Sequence, residues 1–362
     1  MGRGCEIAHR GGEATQWGAC DRRLLRPGAI IVSALDGDVM DSITPSMTRE
    51  DIAAVLGRGR LFSPARDSLY TVDELMVGYE SDAPMQSLDA RLAAHVKACG
   101  SPPADVEEAI AQVVHDQGVD HAMRAYVAAS IEQGRHVVGV LGGASTPRDA
   151  PAYRLAAATA KAVSEAGFLV ATGGGLGIME AGNLGAYFAG RPADKLHAAI
   201  DDLKRCPVYR GHEGEYFDTA RLITAGQRPG APSLAVATWR IENEPLSQFA
   251  THVAKLFQNS VREDGLLSIA DAGVAYFAGG FGTLREIFQD LAQNSSAAPA
   301  HQMAMVFVDT AAYGEPGSPL HLARARASRA AVPFDDLITL ADSADAVVAA
   351  MVAARDRFRP TG

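Results

Sequence analysis

The chain has little cysteine and no long apolar run, and each shortage excludes a class of protein. Its four cysteines, Cys5, Cys20, Cys99 and Cys206, form no C-x-x-C pair and have no histidine at metal-ligand spacing. They are therefore expected to be reduced thiols rather than a disulfide framework or a metal site. No segment approaches the roughly 20 apolar residues that cross a bilayer, and the N-terminus lacks the apolar stretch of a signal peptide. These absences predict a cytoplasmic protein with no membrane partner.

The chain also has fewer basic than acidic residues. Lysine and arginine number 33 against 43 aspartates and glutamates, the net charge is −10 and the pI is near 5.5. This balance gives no electrostatic case for a nucleic-acid partner. The ten histidines are dispersed and form no H-E-x-x-H cluster, so no metal site is predicted. The expected ligand is a small molecule, with no cofactor.

The 362 residues are long enough for a large α/β core and a smaller region beside it. Residues 1–28 are polar, glycine-rich and aperiodic, and are predicted to form a disordered tail. Residues 29–133 have a mixed pattern and no catalytic spacing, which indicates an accessory region covering one side of the core or building an oligomer contact. Residues 134–362 alternate strands and helices. They predict a Rossmann-like, doubly wound parallel sheet with helices on both faces.

A glycine-rich turn joins a strand to a helix in the segment GVAYFAGGFGTLREIFQD, residues 273–290. The strand is predicted over residues 273–278, and apolar residues then recur at helical spacing. Glycines let the backbone approach a ligand, and the free N–H groups of a first helical turn favour an anion such as phosphate. Glu286 follows about one turn into the helix. The segment therefore offers a phosphate cradle and a candidate catalytic acid or base.

Two further turns have the same character. An apolar strand at residues 168–172 runs into Gly173, Gly174 and Gly175 before another helix, and an earlier strand at 136–143 ends near Gly142 and Ser145. The first of these turns is expected on a strand next to that of residues 273–278. All three would then face one crevice at the carboxyl edge of the sheet, where open α/β sheets bind ligands.

The remaining periodicity predicts further elements. Strands are expected over 29–34, 234–239, 303–309 and, at the sheet edge, 337–341; helices are expected over 51–56, 87–99, 104–114, 150–166, 193–205, 319–327 and 344–358. The helix at 104–114 would be capped by Ser101-Pro102-Pro103. Residues 209–218 are expected to be a polar loop. Residues 245–270 are interpreted as one or two helices whose apolar stripe belongs to the core.

The segments TGGGLGIMEAGNLGA and AGGFGTLREIF together resemble the LONELY GUY family of nucleotide phosphoribohydrolases, over about half of the chain. The family hallmark is P-G-G-x-G-T-x-x-E preceded by an essential arginine. Its glutamate falls on Glu286 and its arginine on Arg262, in QNSVREDGLL; its glycines and threonine fall on Gly279, Gly280, Gly282 and Thr283. Two positions depart from the pattern. Ala278 stands where proline is usual, and Arg262 lies one residue further from the glycines than is common.

The resemblance is closest to the longer bacterial members. It implies hydrolysis of the N-glycosidic bond of a nucleoside 5′-monophosphate, which gives a free base and ribose 5-phosphate. A cytokinin riboside monophosphate is included among the expected substrates. Glu286 and Arg262 would be catalytic. The turn at 279–283 would bind the 5′-phosphate, and Gly142, Ser145 and residues 173–175 would line the rest of the crevice. Family members form homo-oligomers, so a dimer or tetramer is expected.

Two other functions remain open. A nucleotide or cofactor carrier of the same fold would bind a phosphorylated ligand without cleaving it, but would be expected to lack the arginine–glutamate pair. A dinucleotide-dependent dehydrogenase is a weaker alternative, because the first turn lacks G-x-G-x-x-G spacing and Thr172 stands where an acidic residue would end the second strand. The label lysine decarboxylase, often given to this family, is disfavoured because neither Lys161 nor Lys255 lies in a glycine turn, as a Schiff-base lysine would have to.

Overall fold

The computed structural model describes residues 51, 56, 57, 59–241 and 245–357, without the side chain of residue 357. Within these residues the chain forms a parallel seven-stranded sheet in the order β4-β3-β2-β1-β5-β6-β7. The strands are Val137–Leu141 (β1), Leu169–Thr172 (β2), Ser233–Thr238 (β3), His252–Leu256 (β4), Gly273–Tyr276 (β5), Ala304–Val308 (β6) and Ile338–Ala341 (β7). The predicted doubly wound α/β fold is confirmed.

Helices precede the sheet and connect its strands. They are Val72–Leu75 (α1), Leu88–Cys99 (α2), Val106–Glu132 (α3), Pro151–Glu165 (α4), Ile178–Tyr187 (α5), Ala193–Leu203 (α6), Glu213–Gly226 (α7), Asn259–Ile269 (α8), Phe281–Ser296 (α9), Thr310–Tyr313 (α10), Pro319–Ala327 (α11) and Ala344–Arg357 (α12). Helices α4, α5 and α12 pack together, whereas α3, α8, α9 and α11 form the other group. Right-handed crossovers put these groups on opposite faces, because the chain reverses its direction across the sheet after β4.

The reversal creates a topological switch point between β1 and β5. The first four strands run outward from β1 on one side, and β5 then pairs with β1 on the other, with Leu141 opposite Tyr276. Ligands of such sheets bind in the crevice outside the carboxyl ends of the strands at the switch point. The glycine turns after β1 and β5 therefore border this crevice. The expectation that the β2 and β5 turns lie on neighbouring strands is wrong, because β1 lies between them.

Residues before β1 pack on the β4 side of the sheet. Tyr70 forms an antiparallel bridge with Val253 of β4, and α3 lies against β4 and α8. Asp116 of α3 is buried, and its carboxylate accepts the backbone N–H groups of Phe257 and Gln258, each at 2.8 Å. Since Gln258 is the residue that caps α8, the accessory region anchors the start of that helix.

Several local predictions are wrong. Residues 245–270 do not form only helix, because His252–Leu256 is a sheet strand and α8 starts at Asn259. The stripe residues are nevertheless core: a strand buried on both faces lacks the alternation that separates strands from helices. The polar segment 209–218 is not all loop, since α7 begins at Glu213.

The helix predicted over 104–114 is α3, which extends to Glu132. Its N-cap is Asp105, whose side chain accepts the Glu107 N–H at 3.0 Å, and not the Ser101-Pro102-Pro103 segment. The other predicted helices and strands of the described region are present within a few residues. The strand expected at 29–34, the tail 1–28 and most of the helix at 51–56 lie outside the described residues. Across the described part of the chain, no helix combines the length and apolarity needed to cross a membrane.

Candidate active site

Three turns come together at the switch point. The backbone N–H of Gly143, after β1, donates to the carbonyl of Ala278, after β5, at 3.0 Å. The carbonyl of Gly143 in turn accepts the N–H of Ile178, the first residue of α5, at 3.1 Å. The turns predicted to face one crevice are therefore joined by backbone hydrogen bonds.

Two of the predicted glycines are required by close packing. A Cβ atom at Gly279 would collide with the Thr283 side chain and approach the backbone nitrogen of Gly143 to 2.9 Å. A Cβ atom at Gly173 would collide with the guanidinium of Arg262 and approach the Met179 sulfur to 2.5 Å. Glycine at these positions keeps the turns in contact with each other and with Arg262.

The β5 turn presents the N-terminus of a long helix to solvent. Residues 278–282 are exposed, whereas Thr283 is buried. The α9 ladder starts with the Leu284 N–H donating to Gly280, the N-cap, at 3.1 Å. The N–H groups before Leu284 are thus at the unsatisfied, positive end of the helix dipole, where an anion is stabilised. This geometry can bind a phosphate.

Arg262 and Glu286 form a buried ion pair beside these turns. The Nη1 atom of Arg262, on α8, donates to Oε1 of Glu286, on α9, at 2.9 Å, and both residues are buried. Arg262 also donates from Nε to the Val236 carbonyl at 3.0 Å and from Nη2 to the Gly173 carbonyl at 3.4 Å. The guanidinium therefore links β3, the β2 turn and α9, and it contacts the glutamate that the sequence pairs with it.

Further charged residues flank this pair. Glu263 is buried with an oxygen 3.9 Å from Nη1 of Arg262, accepts from Asn259 Nδ2 at 2.8 Å and forms an ion pair with Arg285. The Arg285 side chain is more than half exposed. Sequence reasoning assigned no role to Glu263 or Arg285. The signal was present, since both residues are sequence neighbours of the matched pair.

Behind Glu286 lies a second carboxyl on the same helix. Asp290 is fully buried, accepts from the Tyr276 hydroxyl at 2.7 Å and from Asn294 Nδ2 at 3.2 Å. Burial raises the pKa of Asp290 to about 7, with the Tyr276 hydrogen bond opposing it. This carboxyl is therefore partly protonated near neutral pH, and it lies one helical turn from Glu286.

A second buried arginine–glutamate pair joins the segments that follow the β1 and β2 turns. Arg148, after β1, donates from Nε and Nη2 to the two carboxylate oxygens of Glu180 on α5, at 2.9 and 2.7 Å. Tyr153 and Tyr216 also donate to Glu180, at 2.9 and 2.8 Å, and the Arg148 guanidinium stacks over the Tyr216 ring. Arg148 and Glu180 have essentially no solvent exposure. Sequence reasoning missed this pair, although Glu180 lies within the quoted TGGGLGIMEAG segment.

The other predicted site residues lie on the same three turns. Gly142 and Gly175 are buried, Ser145 is exposed after β1, and Gly174 has a positive φ and donates to the Thr172 hydroxyl at 3.0 Å. A separate cavity of about 530 Å³ opens beyond β3 and β4 between α2 and α7, and neither Arg262 nor Glu286 lines it.

The sequence-based statement that no cysteine has a histidine at metal-ligand spacing is wrong. Cys99 does have a histidine at metal-ligand spacing, because His95 lies one turn earlier on α2, and Glu108 of α3 completes a cluster with them.

No protein-family model and no curated protein sequence match the chain. The resemblance to the phosphoribohydrolases therefore rests on the quoted motifs alone.

Proposed function

We propose that this protein hydrolyses the N-glycosidic bond of a nucleoside 5′-monophosphate, giving a free base and ribose 5-phosphate. The observation that carries the proposal is the contact between Arg262 and Glu286 beside an exposed helix N-terminus. The two residues are 24 positions apart; Glu286 was assigned from the glycine-turn segment and Arg262 from the family resemblance. Their contact at the switch point supports one site in which a carboxylate and a phosphate cradle act together.

Cleavage of an N-glycosidic bond develops positive charge at C1′ of the ribose. A carboxylate near C1′ stabilises this oxocarbenium-like state or activates the attacking water, by analogy with glycoside hydrolysis. We assign this role to Glu286. The N–H groups at the start of α9 and the Thr283 hydroxyl would hold the 5′-phosphate, which fixes the position of the sugar.

The hydrogen bonds of Arg262 suit it to release Glu286 when substrate binds. Arg262 donates to the carbonyls of Val236 and Gly173 as well as to the glutamate. If Glu286 turns toward the ribose, the guanidinium keeps these backbone acceptors and remains in place. It could then contact the substrate or the departing base.

The first test is to incubate the purified protein with AMP, GMP, CMP, UMP and a cytokinin riboside monophosphate and to follow free base by chromatography. Release of base from at least one nucleotide supports the proposal and identifies the substrate class. Glu286→Gln should abolish most of the release, whereas Glu315→Gln, at an exposed site, should leave it unchanged.

The carrier alternative predicts a different result with the same reagents. A thermal shift on adding AMP without base release from any nucleotide would contradict hydrolysis and assign Arg262 and Glu286 to binding.

The enzymes that this chain resembles form homo-oligomers, so we also propose a dimer or tetramer. Light scattering after size exclusion would measure its order.

A further inference from the structure

Three side chains with metal-binding atoms converge where α2 meets α3. His95 Nε2 lies 3.5 Å from the Cys99 sulfur and 2.8 Å from Oε1 of Glu108. The three ligand atoms all lie within 4.8 Å of one another. His95 and Cys99 are one helical turn apart and so share a face of α2, while Glu108 reaches them from α3.

The nitrogen–sulfur separation matches an edge of a tetrahedral zinc site. With Zn–N near 2.0 Å and Zn–S near 2.3 Å, a tetrahedral angle puts the nitrogen and sulfur about 3.5 Å apart. The nitrogen–oxygen edge of the same tetrahedron is about 3.3 Å, so the His95–Glu108 contact would open by about half an ångström when the ion replaces their hydrogen bond.

The surroundings of Glu108 would orient it toward an ion. Arg60 donates from Nε to Oε2 at 2.8 Å, and Gln112 donates from Nε2 to Oε1 at 2.9 Å. Ligating carboxylates are typically held by such outer hydrogen bonds. Glu108 is buried, whereas His95 and Cys99 are only partly so. An ion could therefore enter past the α2 side chains, and water could take the fourth position.

We propose that His95, Cys99 and Glu108 bind a divalent transition-metal ion, Zn²⁺ in the first instance, that fastens α2 to α3. A thiolate, a carboxylate and a neutral imidazole are ligand types that zinc prefers, and they bring two negative charges to the ion, one of which is shared with Arg60. The site adjoins the 530 Å³ cavity, which Val96, Lys97 and Gly100 help to line. It is separate from Arg262 and Glu286, and the proposal does not depend on nucleotide hydrolysis.

The experiment measures metal binding by the full-length reduced protein. After chelation and gel filtration, the chain is titrated with Zn²⁺ and its metal content is determined by mass spectrometry. It is titrated in parallel with Co²⁺, whose thiolate complex has a charge-transfer absorption in the near ultraviolet. We expect one equivalent of either metal, a cobalt–thiolate band, and a Tm that rises with Zn²⁺ concentration.

Ligand variants locate the site. Cys99→Ser should remove the cobalt–thiolate band, and His95→Gln and Glu108→Gln should weaken Zn²⁺ binding by at least tenfold. Cys206→Ser and His301→Gln, at a buried thiol and an exposed histidine outside the cluster, are the matched controls and should bind as the wild type does. Circular dichroism confirms that each variant is folded.

Three results would overturn the proposal. The first is the absence of stoichiometric Zn²⁺ or Co²⁺ binding by the folded wild type. The second is a cobalt–thiolate band that survives in Cys99→Ser. The third is loss of that band in a Cys5→Ser/Cys20→Ser variant with Cys99 intact, because the ion would then be bound elsewhere.

Discussion

The two buried arginine–glutamate pairs beside the crevice are built in opposite ways. Arg148 and Glu180 make a bidentate contact, and two tyrosine hydroxyls donate to the same glutamate. Arg262 and Glu286 share one hydrogen bond, 2.9 Å long, and Arg262 also donates to two backbone carbonyls and lies 3.9 Å from a Glu263 oxygen. The first glutamate is held by four donors on three elements, and the second lies next to an exposed turn.

The difference teaches which pair supports the fold and which is suited to chemistry. A carboxylate fully occupied by donors cannot turn toward a substrate without leaving buried charges unpaired, which is costly. Arg262, by contrast, keeps two backbone acceptors whatever the position of Glu286. We therefore expect substitutions in the two pairs to separate stability from turnover.

The largest effect is expected on turnover at Glu286. Glu286→Gln should lower the rate of base release about 10²- to 10⁴-fold, because the amide supplies neither a base nor a full negative charge. Its oxygen can still accept from Arg262, and a Glu263 oxygen remains 3.9 Å from that guanidinium, so the loss of stability should be smaller than for Glu180→Gln. Steady-state kinetics with AMP or the best nucleotide of the panel gives the rate; a wild-type rate would refute the assignment.

The complementary effect is expected on stability at Glu180. Glu180→Gln should lower the free energy of unfolding by about 3–5 kcal/mol, because it leaves the buried Arg148 charge uncompensated. Denaturant unfolding measures this loss. Replacing both residues, as Arg148→Met with Glu180→Leu, should recover much of it. If Glu180→Gln is as stable as Glu315→Gln, the Arg148–Glu180 pair does not support the fold.

A smaller loss of turnover is expected from a methyl group placed against Arg262. Gly173→Ala would push its Cβ into the guanidinium, and a displacement of about 1 Å in a catalytic group can cost up to about 10²-fold in rate. Kinetics and unfolding are measured as above. Gly226→Ala, whose added methyl meets no atom within 4 Å, is the control; equal activity of the two variants would contradict the role of this contact.

The last effect is on the pH dependence of stability and concerns Asp290, a third buried carboxyl with no basic partner among the described residues. Its folded pKa of about 7 exceeds the usual 3.8, so the folded state binds the proton more tightly than the unfolded state. This stabilisation is complete below pH 3.8 and is lost as the pH rises to about 7, with a slope of at most about 1.4 kcal/mol per pH unit.

Asp290→Asn should remove this part of the pH dependence, because the amide stays neutral and keeps a donor and an acceptor. Unfolding curves recorded between roughly pH 5 and 8, where globular proteins tend to be most stable, compare the variant with the wild type. Identical slopes for the two proteins would contradict the raised pKa of Asp290.

The sequence predicted the fold and the turns well because both depend on local signals. Short β-branched runs ending in glycine identify buried strands and the turns after them. The assignment from sequence failed at β4, because a strand buried on both faces lacks the usual alternation and its apolar residues also fit helical spacing.

Of the proposed catalytic pair, Glu286 was predicted from its place after the glycine turn, and Arg262 only through the family resemblance. By default an arginine such as Arg262 would be a surface residue, and only the structure shows it buried against β3. The Arg148–Glu180 network and the His95–Cys99–Glu108 cluster were missed because each joins residues of different elements. Sequence spacing defines faces of one helix but not which helices meet.

The carboxylate of Asp116, which receives two N–H groups at the start of α8, gives the accessory region a part in positioning Arg262. Removing residues before β1 would strip these donors of their acceptor and loosen the first turn of the helix that bears Arg262. The proposed catalytic domain would then need the accessory region in the same chain to keep α8 in place. A gene fragment encoding only residues 134–362 is expected to make an insoluble or inactive product.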